Sequence, residues 1–504
     1  MKKILMIILD GFGYREEEHG NAIKRANMKT FNSLWEKYPH SILQASEEAV
    51  GLPEGLFGNS EVCHEAIGTG KKVKQDITIA NENINETTLL NNNVFIKIIN
   101  HVKDNQSTLH LMGLISDGGV HSHINYIKNL IPILKNHGIE KVVFHAITDG
   151  RDTAPYESIG FIKTIDNLLK ENQLGYVGTV CGRFYAMDRD EKWERTRIYS
   201  DLVLNNKGLK ILNYETAIKN CFNKGLTDEF LPPLILNDNS YINEHDAIMW
   251  LNFRTDRARQ ILRVITEPDF NIFPIKQLNN VLVTTLFKVP EINAPNLFES
   301  ADSDTYSIGE YFSDLNLTQA RIAESEKYNH VTYFFNAGKS KKYKNCDNFL
   351  IPSPKVMSYD EIPEMSLPEV VKQTKKCLAK DYDFILVNFA NPDMIGHTGN
   401  FKACIDSLNY VDEALNELVE CADENFYKVI ITADHGNIDT MLTENDEPIR
   451  THSLSPVPFI LLDEKVALKE TGDITMIAPT LLSYMDIATP KEMKETKNLF
   501  VNEE

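Results

Sequence analysis

Residues of the kinds that ligate divalent cations lie at the two ends of this chain, and an arginine-rich stretch fills the space between them. Asp10 and Ser60 come early, and Asp393, His397, Asp434, His435 and His452 come late. Between them run His121, Arg151, Asp152, Arg183, Arg189, Arg254 and Arg257. If the outer residues act together, the first and last segments must fold as one body with the middle inserted as a second domain. The chemistry is then expected in the cleft between two domains.

A chain of 504 residues is too long for one ordinary core, which agrees with two domains. Hydrophobic residues at 42% and charged residues at 25% are values of a globular protein rather than a disordered one. Lys and Arg number 52 against 72 Asp and Glu, a net charge of -20 that argues against nucleic acid or an anionic membrane as partner. An anionic substrate must then be captured by local positive charge. Seven cysteines form no CxxC pair and are odd in number, which suits free thiols and a cytoplasmic location. The apolar run 4–9 is too short for a signal peptide and ends in Asp10, so it reads as a buried strand. No segment reaches the roughly 18 apolar residues that span a bilayer.

Seven β-rich runs end in polar residues: KILMIILDG, STLHLMGLISDGG, KVVFHAITDGRD, YVGTVCGRF, AIMWLNFRTDR, FILVNFANPD and KVIITADHG. Helical patterns over 124–136, 158–171, 401–422 and 475–484 separate most of them. This alternation reads as α/β with two mostly parallel sheets, whose ligands gather at the carboxyl ends of strands. The polar stretches 70–75 and 290–304 are the candidate crossings between domains. The expected boundaries are 1–74 with 304–504, and 75–303.

The motif NPDMIGH (391–397) follows a strand and sets a carboxylate and an imidazole four residues apart, one turn if helical. ADHGN (433–437) supplies a second such pair, and His452 stands in a loop before the strand-like run PVPFILL. Mixed carboxylate and imidazole donors suit Mn²⁺, Zn²⁺ or Fe²⁺, and the lack of a cysteine donor argues against a structural zinc. Ser60, in GNSEVCH (58–64), has the local look of a helix cap, but a hydroxyl beside such a cluster becomes a candidate nucleophile. The stretch 68–72, GTGKK, is discarded as a phosphate loop because Glu65 stands where the first glycine belongs. In the middle, SDGGVHSH, TDGRDT, CGRFYAMDRD and NFRTDRAR include Arg151, Arg183, Arg189, Arg254 and Arg257, arginines after strands and mostly close to glycines, as bidentate capture of phosphate and carboxylate requires.

Together with MIILDGFG, EKYNHVTYFFN, NPDMIGHTG, TADHGN and THSLSPVP, these motifs closely resemble the cofactor-independent phosphoglycerate mutases of the alkaline phosphatase superfamily, nearly end to end. The resemblance implies an alkaline-phosphatase-like metal domain split by an inserted α/β phosphotransferase domain. It implies two divalent ions, Mn²⁺ before Mg²⁺, one on Asp393, His397 and His452 and the other on Asp10, Ser60, Asp434 and His435. Ser60 would be phosphorylated transiently. His121, Arg151, Asp152, Arg183, Arg189, Arg254, Arg257 and Lys327 would hold phosphoglycerate, Lys327 being singled out by its motif alone. Asp152 is the choice for general base. The expected activity is interconversion of 3-phosphoglycerate and 2-phosphoglycerate by a monomer, without bisphosphoglycerate. The alternative is a metal-dependent phosphatase or phosphopentomutase of the same superfamily. One departure is visible, since the family's serine motif reads Gly where Cys63 stands.

Overall fold

The computed structural model describes residues 2–300 and 305–501. The chain divides into two compact units, Met1–Gln75 with Asp302–Glu504, and Asp76–Ala301. The expected second joint, at 303/304, lies outside the described residues.

In the first unit the run KILMIIL forms the strand Lys3–Leu9, buried from Ile4 onward. Such an uninterrupted apolar run suits a strand covered on both faces. It pairs in parallel with Phe384–Phe389 on one side and Tyr427–Thr432 on the other. Among the described residues its eight strands run in the order Cys346–Ile351, Gln319–Glu324, Phe384–Phe389, Lys3–Leu9, Tyr427–Thr432, Val457–Leu461, His40–Gln44, Thr471–Asp473. The N-terminal segment is thus the middle of a sheet built mostly from the C-terminal part. Helices Leu367–Leu378 and Phe401–Glu424 pack against each other and present their apolar sides to this sheet.

Among the described residues the second unit has seven strands in the order Leu209–Lys210, Leu234–Ile235, Gly175–Gly182, Val142–Thr148, Leu109–Leu114, Ala247–Trp250, Leu282–Thr285. All neighbours are parallel except Gly175–Gly182 with Leu234–Ile235. Helices Ile124–Asn136 and Ser158–Glu171 follow two of the central strands, as their periodicity predicts.

Gln319–Glu324 is a strand that the sequence hides. Its residues QARIAE look like surface, yet all six are buried. Arg321 lies between the rings of Phe335 and Phe384, 4.5 and 5.0 Å from their centroids, and donates through Nη2 to Gln319 Oε1 at 2.6 Å. Aromatic faces and a neighbouring amide replace part of the water that such a side chain ordinarily needs, while Nε and Nη1 are buried without a hydrogen-bond partner among the described residues.

Candidate active site

In the first unit, three parallel neighbours deliver carboxylates at their carboxyl ends. Asp10 follows Lys3–Leu9, Asp393 lies on the short helix Asn391–Gly396 after Phe384–Phe389, and Asp434 follows Tyr427–Thr432. The three are almost entirely buried. Gly11 makes the approach possible, with φ of +75° and a Cα so near Asp393 that an added Cβ would stand 2.8 Å from the Asp393 Cα. Its amide and that of His435 donate to Asp434 Oδ1, at 3.1 and 2.9 Å.

Ser60 is the first residue of helix Ser60–Thr69, whose Asn59 cap accepts from the Val62 amide. The Ser60 hydroxyl stands 3.0 Å from both Asp10 Oδ1 and His435 Nε2. The Lys327 ammonium donates to Ser60 Oγ at 2.8 Å and pairs with Asp10 and Asp393 at 2.6 and 2.5 Å. His397 and His452 complete the group, their Nε2 atoms 3.3 and 3.2 Å from Asp393 Oδ1. Every residue expected in this group is therefore brought together. The donor atoms of Asp10, Asp434 and His435 cluster tightly, as do those of Asp393, His435 and His452, so His435 belongs to both sets while His397 stands at the margin.

Burial, then repulsion from Asp434, pushes the Asp10 carboxyl up to about 6. Burial opposes the Lys327 charge, but Asp10, Asp393 and Asp434 outweigh it and hold the ammonium above the usual lysine range. His435 is pushed down to about 3, mainly by burial.

In the second unit the strand ends carry the arginine motifs. A cavity of about 440 Å³ is lined by Arg151, Arg183, Arg189, Arg195 and Arg257. Asp149 and Asp152 both accept from Arg183 Nη1. Asp152 is also 3.9 Å from His121 Nε2, and Asp256 gathers Arg189, Arg254 and His121. Burial and repulsion from Asp149 raise the Asp152 carboxyl, while Arg183 works against that shift. Burial and then Arg183, Arg254, Arg257 and Arg189 keep His121 neutral. Arg195 went unnoticed in the sequence because it lies within a helix, Trp193–Asn205, rather than after a strand. It is held by Asp188 and lies 3.8 Å above the Phe184 ring.

Residues 80–289 match the family described as BPG-independent PGAM N-terminus, and residues 311–494 match type I phosphodiesterase / nucleotide pyrophosphatase. The 2,3-bisphosphoglycerate-independent phosphoglycerate mutase of Staphylococcus saprophyticus is 43% identical over 491 residues, 97% of each chain. That of Clostridium perfringens is 42% identical over 506 residues, 98% of each chain. The chain belongs to the 2,3-bisphosphoglycerate-independent phosphoglycerate mutases. A crystal structure of Leishmania mexicana phosphoglycerate mutase, determined at low cobalt concentration, superposes with a TM-score of 0.81 at 27% identity over 100% of this chain and 98% of that one. This mutase is accordingly an isomerase that interconverts 3-phosphoglycerate and 2-phosphoglycerate on a two-part α/β fold, one part alkaline-phosphatase-like.

The mutase family and this fold imply divalent metal ions, and the first unit fits them. Three buried carboxylates face the Lys327 ammonium, and uncompensated buried charge is costly. His397 Nδ1 and His452 Nδ1 lie 2.8 Å from the carbonyls of Arg450 and Gly58, so each ring uses its N–H there. Their Nε2 atoms then face each other at 3.2 Å with lone pairs, an arrangement a shared cation resolves. Asp434 Oδ2 is buried without a well-formed hydrogen bond, although His64 Nδ1 and His435 Nε2 stand 3.3 and 3.4 Å away. Unused acceptor atoms converging on one point are what a cation site requires.

Proposed function

We propose that this mutase works through transient phosphorylation of Ser60, with the phosphoglycerate held by His121, Arg151, Arg183, Arg189, Arg254 and Arg257 and with Asp152 as general base. The observation that carries the reading is the Ser60 hydroxyl, at a helix N-terminus, donating to Asp10 Oδ1, with His435 Nε2 3.0 Å away and the Lys327 ammonium donating to its oxygen. Asp10, 3.0 Å from the Ser60 hydroxyl and with its carboxyl raised by burial, receives the proton that Ser60 gives up. Lys327 then stabilises the negative charge left on Oγ and the charge of the group being transferred. The arginines hold the carboxylate and phosphate of the glycerate through forked N–H pairs. Neutral His121 orients the substrate by hydrogen bonding without adding charge. Asp152, its carboxyl raised by burial, takes the proton from the accepting hydroxyl and later returns it.

Two divalent ions, Mn²⁺ before Mg²⁺, would be held by Asp393, His397 and His452 and by Asp10, Ser60, Asp434 and His435. When bound, they supply Lewis-acid stabilisation of negative charge. The imidazole and carboxylate donors support a transition metal, as does the cobalt of the Leishmania relative. Met1–Gln75 with Asp302–Glu504 would serve as the metal-binding part and Asp76–Ala301 as the substrate-binding part. Both residue groups are complete within one chain, which supports a monomer acting on a free small molecule, and seven unpaired cysteines suit the cytoplasm. Among the described residues no helix is long and apolar enough to cross a membrane.

Asp152→Asn tests the division of labour, because an amide keeps the shape of the carboxylate but cannot accept the proton. Mixed with 3-phosphoglycerate and followed over minutes, the variant is expected to accumulate phosphoserine at residue 60, seen by mass spectrometry of quenched enzyme, while 2-phosphoglycerate formation stalls. Near-normal turnover with no phosphoserine would remove Asp152 from this role.

A further inference from the structure

His64 lies one helical turn beyond Ser60 and is fully buried. Its Nδ1 stands 2.9 Å from the Ser60 carbonyl and 3.3 Å from Asp434 Oδ2. Both are acceptors, so Nδ1 carries the hydrogen. On the opposite side of the ring, Asn388 of the strand Phe384–Phe389 places its amide nitrogen 2.7 Å from Asp10 Oδ2. A carboxylate oxygen only accepts, which orients the Asn388 amide, and its second N–H then points to His64 Nε2 at 3.1 Å. Nε2 must therefore present a lone pair. The result is one directed chain: Asn388 donates to Asp10 and to His64, and His64 donates to the Ser60 carbonyl and toward Asp434.

We infer that His64 is a positioning residue for phosphoryl transfer, locking the helix that carries Ser60 to the carboxylates of Asp10 and Asp434. This rests on the reading of Ser60 as the phosphoryl acceptor. Asp434 Oδ1 is pinned by the amides of Gly11 and His435, so the direction of Oδ2 is left to His64. Asp10 is reached through Asn388, and the acceptor's own backbone through Nδ1. Four chain segments, around Asp10, Ser60, Asn388 and Asp434, thus hold a fixed geometry before substrate arrives, which is how supporting hydrogen bonds tune cation ligands.

The test compares His64→Leu, which fills the space without hydrogen bonding, with His64→Asn, whose amide N–H can replace the Nδ1–H. For each, Mn²⁺ affinity is measured by calorimetry on metal-free protein, Tm is taken without metal, and kcat and KM for 3-phosphoglycerate are taken with it. His64→Leu is expected to lose roughly 10–100-fold in Mn²⁺ affinity and a similar factor in kcat, with KM little changed. His64→Asn is expected to recover most of both. Unchanged affinity in His64→Leu, or equal losses in the two variants, overturns the assignment. Should His64→Leu fail to fold, His64→Phe takes its place in the comparison: a tenfold or greater loss of affinity that His64→Asn recovers supports the role, and native affinity in His64→Phe overturns it. Ser60→Ala and Asp434→Asn are run alongside. If they keep native turnover and affinity, the reading of the site falls and takes His64 with it; if they fail while His64→Leu behaves as wild type, only the His64 role falls.

Discussion

Ser60 is held by hydrogen bonds on every side, yet little of the fold depends on its hydroxyl. Removing Oγ leaves Lys327 paired with Asp10 and Asp393, so no buried charge is stranded. Ser60→Ala is therefore expected to keep its Tm within a few degrees and to lose on the order of 10³-fold or more in mutase activity. Native-like turnover in a coupled assay would exclude a phosphoserine step. Cys63 presents the opposite balance. Its thiol is buried, 3.5 Å from the Ala45 carbonyl, and packs against Gly58. Burial raises its pKa well above the ordinary value, so it is a packing group rather than a reactive thiolate. Cys63→Gly opens a small void and puts a glycine inside a helix, a cost of about 2 kcal/mol. Stability should fall in urea denaturation while kcat stays within a few-fold; total loss of turnover in a folded variant would show that Cys63 does more.

Strands of the second unit carry a polar ladder through their core. His110, His145 and Thr179 lie on three adjacent strands, with His110 Nδ1 to His145 Nε2 and His145 Nδ1 to Thr179 Oγ1 both 2.9 Å, and Asp246 Oδ2 is 3.2 Å from His110 Nε2. Burial lowers both imidazole pKa values; Lys141 adds to this at His110 and Asp246 opposes it, while His110 adds to it at His145. With folded pKa values below the unfolded value near ~6.5, the unfolded chain binds protons that the folded chain refuses as pH falls below that point. Stability is thus flat at neutral pH and declines in acid, by at most about 1.4 kcal/mol per pH unit for each such histidine. Asp246, whose carboxyl burial would raise but His110 holds low, adds a loss only below its own unfolded value near ~3.9. Urea unfolding of metal-free His145→Gln from pH 7 to 5 should show a slope shallower by about one proton. An unchanged slope would remove His145 from the titrating set. In the first unit, the turn that follows Lys327 is π-helical over His330–Phe334, with the Phe335 amide bonded to the His330 carbonyl. Such turns are rare and concentrate at functional sites, and nothing in the pattern of EKYNHVTYFFN distinguishes one from an ordinary helix start.

At the scale of the molecule, the proposed cation ligands Asp10, Asp393, Asp434 and His452 tie the N-terminal strand to three C-terminal segments of the same unit. Metal binding to the folded state should therefore stabilise the whole first unit by linkage. Chelation is expected to abolish turnover and lower Tm, and Mn²⁺ should restore both, with Mg²⁺ less effective. Full activity in protein shown to be metal-free by elemental analysis would refute the ligand assignment. Acid should weaken the same binding because the imidazoles must be neutral to coordinate.

Several features were readable from the sequence because they depend on local chemistry. Apolar runs ending in Asp, His or Arg announced parallel strands and their ligand-bearing ends, and the wide separation of Asp10 and Ser60 from Asp393 and His452 announced a split domain. Other features exist only once strands are neighbours. Gln319–Glu324 was hidden because its burial depends on the Phe335 and Phe384 rings that cover Arg321. Asn388 reads as one polar residue in an apolar run, and His64 as one of several motif histidines. Their directed hydrogen bonds arise from distances between chain segments more than 300 residues apart, and a hydrogen bond is decided by ångströms that no local pattern encodes.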